Sequence, residues 1–335
     1  MHSEIILLNK ERNVTLTTYI QPIGGKFAHI KKRPAIIIFP GGAYAYCSDR
    51  EAEPVAFAYL KAGFQVFILR YSLNDFASWP NPLNDYEQSM ELIKNNADEW
   101  GIDKEKIAVI GFSAGGHLAA AAATMSKNRP NAALLGYAVA GEDVKGCNRN
   151  APDTTKYVDR NTCPCFVFAT RTDALVPIEN SLEFISALAK HKIAFESHIY
   201  AYGPHGFSTC DTSIQSSDTE ICERVPNWVN DSIGWLRDMF GEFTDSGFGK
   251  PKCSRYATHD YDEFLSLDCS IKHLISNKEA CDTLGEIYTE LVKMTEDEDA
   301  SLVNKMTLRA LLNFSKTDKE LMNELDIELR KIENK

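Results

Sequence analysis

Residues Gly111-Phe112-Ser113-Ala114-Gly115-Gly116 lie between an apolar run at 107–110 and an alanine-rich stretch at 117–124. The run before them suits a buried strand and the stretch after them a helix. A serine flanked by glycines two residues away on either side, at a strand-to-helix junction, constrains the fold more than any other segment. To lift the hydroxyl out of the end of a sheet, the serine backbone must enter a strained turn. Side chains at the two flanking positions would collide there. The segment therefore predicts a nucleophile elbow at Ser113.

The surrounding chain alternates between strand and helix patterns. Residues 4–8 and 14–20 read as two strands joined by a polar turn, and 35–39 as a short buried strand bounded by Pro34 and Pro40. Further strands are expected at 64–69, 107–110, 132–139, 165–169 and 195–200. Between them, helical spacing predicts helices at 53–62, 83–100, 117–124 and 179–190, with a closing helix at 228–240. Strands alternating with long helices argue for a mainly parallel sheet covered on both faces, with the first two strands pairing antiparallel at one edge.

The pattern stops near residue 240. Residues 241–251 hold three glycines and a proline and read as a linker. From 252 onward there are 12 Lys/Arg against 18 Asp/Glu, so a net charge of −6 sits in the last quarter. Short amphipathic helices are expected there at 262–276, 278–294, 301–314 and 318–332, punctuated by Asn277 and by the acidic run 296–299. This small acidic helical domain, 252–335, shows no catalytic arrangement, and dimerisation or partner docking are roles open to it.

Composition excludes several classes. The net charge is −11 and no basic stretch stands out, which argues against a nucleic-acid partner. No apolar run approaches the ~18 residues of a membrane span. The N-terminal apolar stretch is four residues long and ends in charges, unlike a secretory leader, so the expected compartment is the cytoplasm. Nine cysteines without framework spacing fit free thiols in a reducing environment. Cys163 and Cys165 lack a second pair or a histidine cluster, so no metal site is expected.

A serine hydroxyl needs a base to become nucleophilic, and the base needs a carboxylate to orient it. The order serine, carboxylate, histidine is one of those that such triads take along a chain. Asp173 lies directly after the 165–169 strand, in a loop at its carboxyl end, where parallel sheets place functional groups. His205, in Gly203-Pro204-His205-Gly206, sits between glycines in a loop after the last strand. His117 follows the elbow but falls in the first turn of its helix, and is expected to be packed and hydrogen-bonded. The developing oxyanion needs fixed donors. The candidates are the N–H groups of Ala114 and, in the glycine-rich loop after the 35–39 strand, of Gly42 and Ala43.

Taken together, Phe39-Pro40-Gly41-Gly42-Ala43-Tyr44, Ser48-Asp49-Arg50-Glu51-Ala52-Glu53-Pro54, Arg70-Tyr71-Ser72, the elbow through Ala119, Val176–Ser181 and Gly203–Gly206 resemble the α/β-hydrolase carbohydrate esterases, such as acetyl esterases and acetylxylan esterases. The resemblance covers about residues 1–240. It implies an α/β-hydrolase fold with an eight-stranded sheet, no cofactor, and hydrolysis of small acyl esters, often acetyl groups on sugars. It carries the nucleophile to Ser113, the acid to Asp173 and the base to His205. There are two departures. Ala43 stands where related esterases usually have a third glycine, and Pro40 stands where hormone-sensitive-lipase relatives have histidine. The tail around Met306-Thr307-Leu308-Arg309 is similar to helical extensions of some bacterial carbohydrate-active esterases.

The expected activity is that of a serine esterase acting on acetylated xylo-oligosaccharides or other acetylated sugars. Tyr44, Tyr46 and Trp79 are candidates to line the pocket mouth, because aromatic faces suit acyl groups and sugar rings. A peptidase, or an amidase such as a formamidase, would use the same triad. A non-catalytic binding module would be marked by a missing triad member, and none is missing.

Overall fold

The computed structural model describes residues 1–335 except 217, 246, 296–300 and 335. The chain divides into two compact units, Met1–Arg255 and Tyr256–Lys335.

The first unit is built on eight strands: β1 (His2–Asn9), β2 (Val14–Ile20), β3 (Arg33–Phe39), β4 (Gln65–Arg70), β5 (Ile102–Phe112), β6 (Ala132–Gly136), β7 (Cys165–Thr170) and β8 (Phe195–Tyr200). They form one sheet in the order β1-β2-β4-β3-β5-β6-β7-β8. The β1–β2 and β2–β4 pairs are antiparallel, and every pair from β4 to β8 is parallel. The central strands are continuous apolar runs because they are covered on both sides: all seven residues of β3 are buried.

Five helices supply the cover: α1 (Glu53–Lys61), α2 (Asn81–Asn95), α3 (Ala114–Thr124), α4 (Glu179–Lys190) and α5 (Asn227–Phe240). On one face Val55 and Tyr59 of α1 and Trp228 and Leu236 of α5 join Ile36, Ile38, Ile68, Ile110 and Phe168 in a single core. On the other, Tyr86 of α2 meets the Phe39 ring edge-on, and α3 lies against β5 and β6. Every residue of α3 is buried, which accounts for its run of alanines: larger side chains would not fit between the sheet and α2. These elements match the expected order, with shifted ends. β5 begins at Ile102. β6 stops at Gly136 rather than at 139, because Tyr137 turns the backbone to φ 34°. α2 ends at Asn95 rather than at 100.

The stretch 241–251 is not a free linker. Phe243–Thr244 (β9) pairs with Gly247–Phe248 (β10), and Lys106 Nζ sits 3.7 Å above the Phe248 ring. The N–H of Lys252 donates to the carbonyl of Asp238 at 2.8 Å, and that of Ala194 to Arg255. The first unit therefore continues through this hairpin to Arg255 instead of ending at 240.

The second unit packs α6 (Ile271–Ser276), α7 (Lys278–Leu284), α8 (Glu286–Thr295), α9 (Ser301–Lys305), α10 (Leu308–Phe314) and α11 (Lys319–Leu329). Leu267, Ile271, Leu274, Leu308, Leu325 and Leu329 are part of its core. Four helices are expected from the sequence, and six stand among the described residues. Gly285, at φ 54°, separates α7 from α8, and the Thr307 side chain caps α10. Residues 262–270 are not helical, and Ser270 caps α6. The acidic run 296–299 lies outside the described residues.

Candidate active site

Ser113 stands between β5 and α3 with φ 53° and ψ −118°, a region that residues with side chains rarely adopt. The flanking glycines make it possible. A Cβ on Gly111 would lie 2.0 Å from the Gly115 carbonyl oxygen, and one on Gly115 would lie 2.1 Å from that of Phe39. The turn is pinned by the Ser113 N–H donating to Gly136 (3.0 Å) and by the Ser113 carbonyl accepting from His117 (3.1 Å) and Val139 (3.2 Å).

The loops after β7 and β8 bring the other two residues to this serine. His205 Nε2 is 2.9 Å from Ser113 Oγ, and His205 Nδ1 is 2.7 Å from Asp173 Oδ2. The Asp173 side chain is 1% exposed, and its second oxygen, Oδ1, accepts the N–H groups of Leu175 and Val176 at 2.9 Å each. A carboxylate can only accept, so Nδ1 carries a proton and donates it, which leaves the Nε2 lone pair facing the serine hydroxyl. In this arrangement His205 can withdraw the Ser113 proton. The three candidates, separated by 60 residues or fewer between neighbours in the chain, meet because their strands end on the same edge of the sheet.

The loop after β3 faces the elbow: a Cβ on Gly41 would lie 3.0 Å from Ser113 Cβ. The N–H groups of Gly42, Ala43 and Ala114 have no protein acceptor among the described residues. That of Ala114 is unpaired because it opens the first turn of α3. Ala43 takes φ 53°, so this departure from a glycine triplet is accommodated in a left-handed conformation at a cost of about 1 kcal/mol. The Pro40–Gly41 peptide is gripped at both ends. Tyr71 Oη donates to the Pro40 carbonyl (2.6 Å), and the Gly41 N–H donates to Glu51 Oε2 (2.7 Å). Sequence reasoning passes over Glu51, Tyr71 and Tyr137. The first two are visible only as members of the resemblance motifs, and Tyr137 carries no local signal.

The aromatic candidates do not form one wall. Tyr44 is 1% exposed and packs edge-on against Tyr71 and His117. Its hydroxyl donates to His117 Nδ1 (2.7 Å), while His117 Nε2–H donates to the Pro152 carbonyl (2.8 Å). His117 is thus packed and bonded as expected, and burial lowers its pKa to about 4. Trp79 lies edge-on against His117, with centroids 5.3 Å apart. Tyr46 is exposed and lines a different cavity, alongside Arg12 and Arg70. Beside Ala43 lies a cavity of about 330 Å³ with Asn74, Asp75, Ser78, Arg149 and Asn150 in its wall. The last two come from the 142–162 stretch. Among the described residues no cluster of three or more His, Cys, Asp or Glu could hold a metal, and no helix is long and apolar enough to cross a membrane.

Comparison with known proteins finds relatives among the α/β hydrolases. The BD-FAE family model matches residues 26–143. The chain is 30% identical over 211 residues to endo-1,4-beta-xylanase B of Butyrivibrio fibrisolvens, which covers 54% of this chain and 33% of the relative. It is 29% identical over 250 residues to an acetylxylan esterase of Xylanibacter ruminicola, covering 66% of this chain and 52% of the relative. The chain thus spans between a third and about half of the length of these curated relatives. The crystal structure of MGS-M1, an α/β hydrolase enzyme from a Medee basin deep-sea metagenome library, superposes with a TM-score of 0.68 at 42% identity. That match covers 71% of this chain and 98% of the other.

Proposed function

We propose that this chain, which belongs to the α/β-hydrolase family, is a serine esterase that removes short acyl groups, acetyl above all, from sugars such as xylo-oligosaccharides. One observation carries the reading: the unbroken hydrogen-bond chain from Ser113 through His205 to Asp173, at 2.9 and 2.7 Å, on a strained elbow.

Ser113 Oγ attacks the ester carbonyl carbon and its proton passes to His205 Nε2. Asp173 holds the imidazole tautomer and stabilises the cation that forms. The N–H groups of Gly42, Ala43 and Ala114 receive the charge developing on the carbonyl oxygen. Collapse expels the sugar alkoxide, which takes the proton from Nε2. Water then gives its proton to Nε2, attacks the acyl-enzyme and releases the acid, and Ser113 recovers its hydrogen.

The polar cavity beside Ala43 supports a sugar as leaving group. Amides, a hydroxyl, a carboxylate and a guanidinium suit a polyhydroxylated ring better than a fatty chain. The names of the xylanase and acetylxylan esterase relatives point the same way.

The test is acetate release from acetylated xylo-oligosaccharides by the wild type and by Ser113→Ala, with p-nitrophenyl acetate as control. The wild type should release acetate, and Ser113→Ala should lose about 10⁴-fold or more in kcat. Retained activity in Ser113→Ala would overturn the mechanism. Cleavage of the artificial ester alone would discard the sugar.

A further inference from the structure

We infer that Glu51 is a positioning residue that holds the oxyanion loop and the histidine loop in register, an inference that rests on the esterase reading above. Glu51 follows the loop after β3 and is 3% exposed. Its two carboxylate oxygens go to two different parts of the site. Oε2 accepts the Gly41 N–H at 2.7 Å, one residue before the Gly42 N–H and two before that of Ala43. Oε1 accepts the Tyr137 hydroxyl at 2.6 Å.

Tyr137 carries the connection onward. Its ring stands edge-on to the His205 imidazole at 5.0 Å and to Phe207 at 4.6 Å. Its hydroxyl oxygen accepts the N–H of Ser208 at 3.1 Å, three residues after His205. The Ser208 hydroxyl donates to the carbonyl of Arg50, next to Glu51 itself, and the Ser208 carbonyl accepts from Trp228 Nε1 at 2.9 Å. The segment that carries the base is thus tied on two sides to the segment that carries the carboxylate.

A burial of this kind opposes folding. Desolvation pushes the Glu51 carboxyl above its ordinary value, and a neutral side chain of the same size would avoid that cost. What the carboxylate supplies is two acceptor oxygens in one rigid group, which no neutral side chain offers. With Tyr71 holding the Pro40 carbonyl and Glu51 the Gly41 N–H, the Pro40–Gly41 peptide is held at both ends, which on the proposed mechanism fixes the oxyanion donors that follow it. Preorganised donors act because they need not reorient during reaction, so a slackened loop should lower turnover rather than substrate binding.

The experiment compares wild type, Glu51→Gln, Glu51→Ala, Tyr137→Phe and Ser113→Ala on p-nitrophenyl acetate, with kcat and KM resolved and the melting temperature measured for each. Glu51→Gln is nearly isosteric and removes a buried charge, so it should keep the wild-type melting temperature. It retains one acceptor and loses the other, so its kcat should fall about tenfold with KM little changed, and Glu51→Ala should fall about 10²-fold. Tyr137→Phe, which breaks only the arm toward His205, should fall less than Glu51→Ala. A Glu51→Gln enzyme with wild-type kcat would overturn the inference. So would a loss of kcat that tracks a loss of melting temperature across the variants, since plain packing would produce that. Inactive Ser113→Ala beside fully active Glu51→Gln sinks the positioning role alone, whereas active Ser113→Ala sinks the esterase reading.

Discussion

Asp173→Asn tests the proposed machinery with almost no change of shape. In the wild type Asp173 Oδ1 accepts two backbone N–H groups, from Leu175 and Val176, while Oδ2 faces His205 Nδ1. An asparagine there has one oxygen and one NH₂. Placing the NH₂ against Leu175 and Val176 would set its donors against theirs and remove the acceptor that both N–H groups share. The amide therefore keeps its oxygen on the two N–H groups and points its NH₂ at His205. The imidazole must then accept at Nδ1 and carry its proton on Nε2, where it cannot receive the proton of Ser113. The carboxylate that would stabilise the imidazolium is also gone. Together these should lower kcat by about 10⁴, or about 5 kcal/mol of barrier. Initial rates on p-nitrophenyl acetate at neutral pH, with circular dichroism to confirm folding, measure it. A folded Asp173→Asn enzyme that loses less than about tenfold would refute the tautomer argument.

Two predictions concern stability. Gly115→Ala places a methyl 2.1 Å from the Phe39 carbonyl oxygen and 2.5 Å from that of Pro40, with only backbone to yield, so it should destabilise by about 3 kcal/mol or more in urea titration. A smaller loss would mean that the elbow can shift without harm. Burial keeps His117 neutral in the fold down to about pH 4, whereas an unfolded chain protonates it around its ordinary value of 6.5. The unfolded state therefore binds the extra proton, and the stability present above the upper value is lost as pH falls to the lower one. Across that window the wild type should lose roughly 3 kcal/mol more than His117→Gln. Parallel pH profiles for the two would remove His117 from the account.

What the sequence determined by itself is what short-range physics controls. Glycines two residues to either side of Ser113, alternating strand and helix periods, and a carboxylate and a histidine in loops after strands are readable because each depends on a few neighbouring residues. The antiparallel β1–β2 edge belongs to the same class. The helix breaks at Gly285 and Thr307 also had local signals, a glycine and a capping hydroxyl, but amphipathic periodicity ran through both and masked them. Tertiary structure decided the rest. The chain places β4 between β2 and β3, and no local pattern encodes that order. Tyr44 lines the cavity beside Ala43, and its hydroxyl is bound by His117, 73 residues away. Glu51 meets Tyr137 across 86 residues. Exposure and hydrogen-bond partnership are properties of contacts, and contacts between distant segments exist only once the sheet order has brought their loops to one edge.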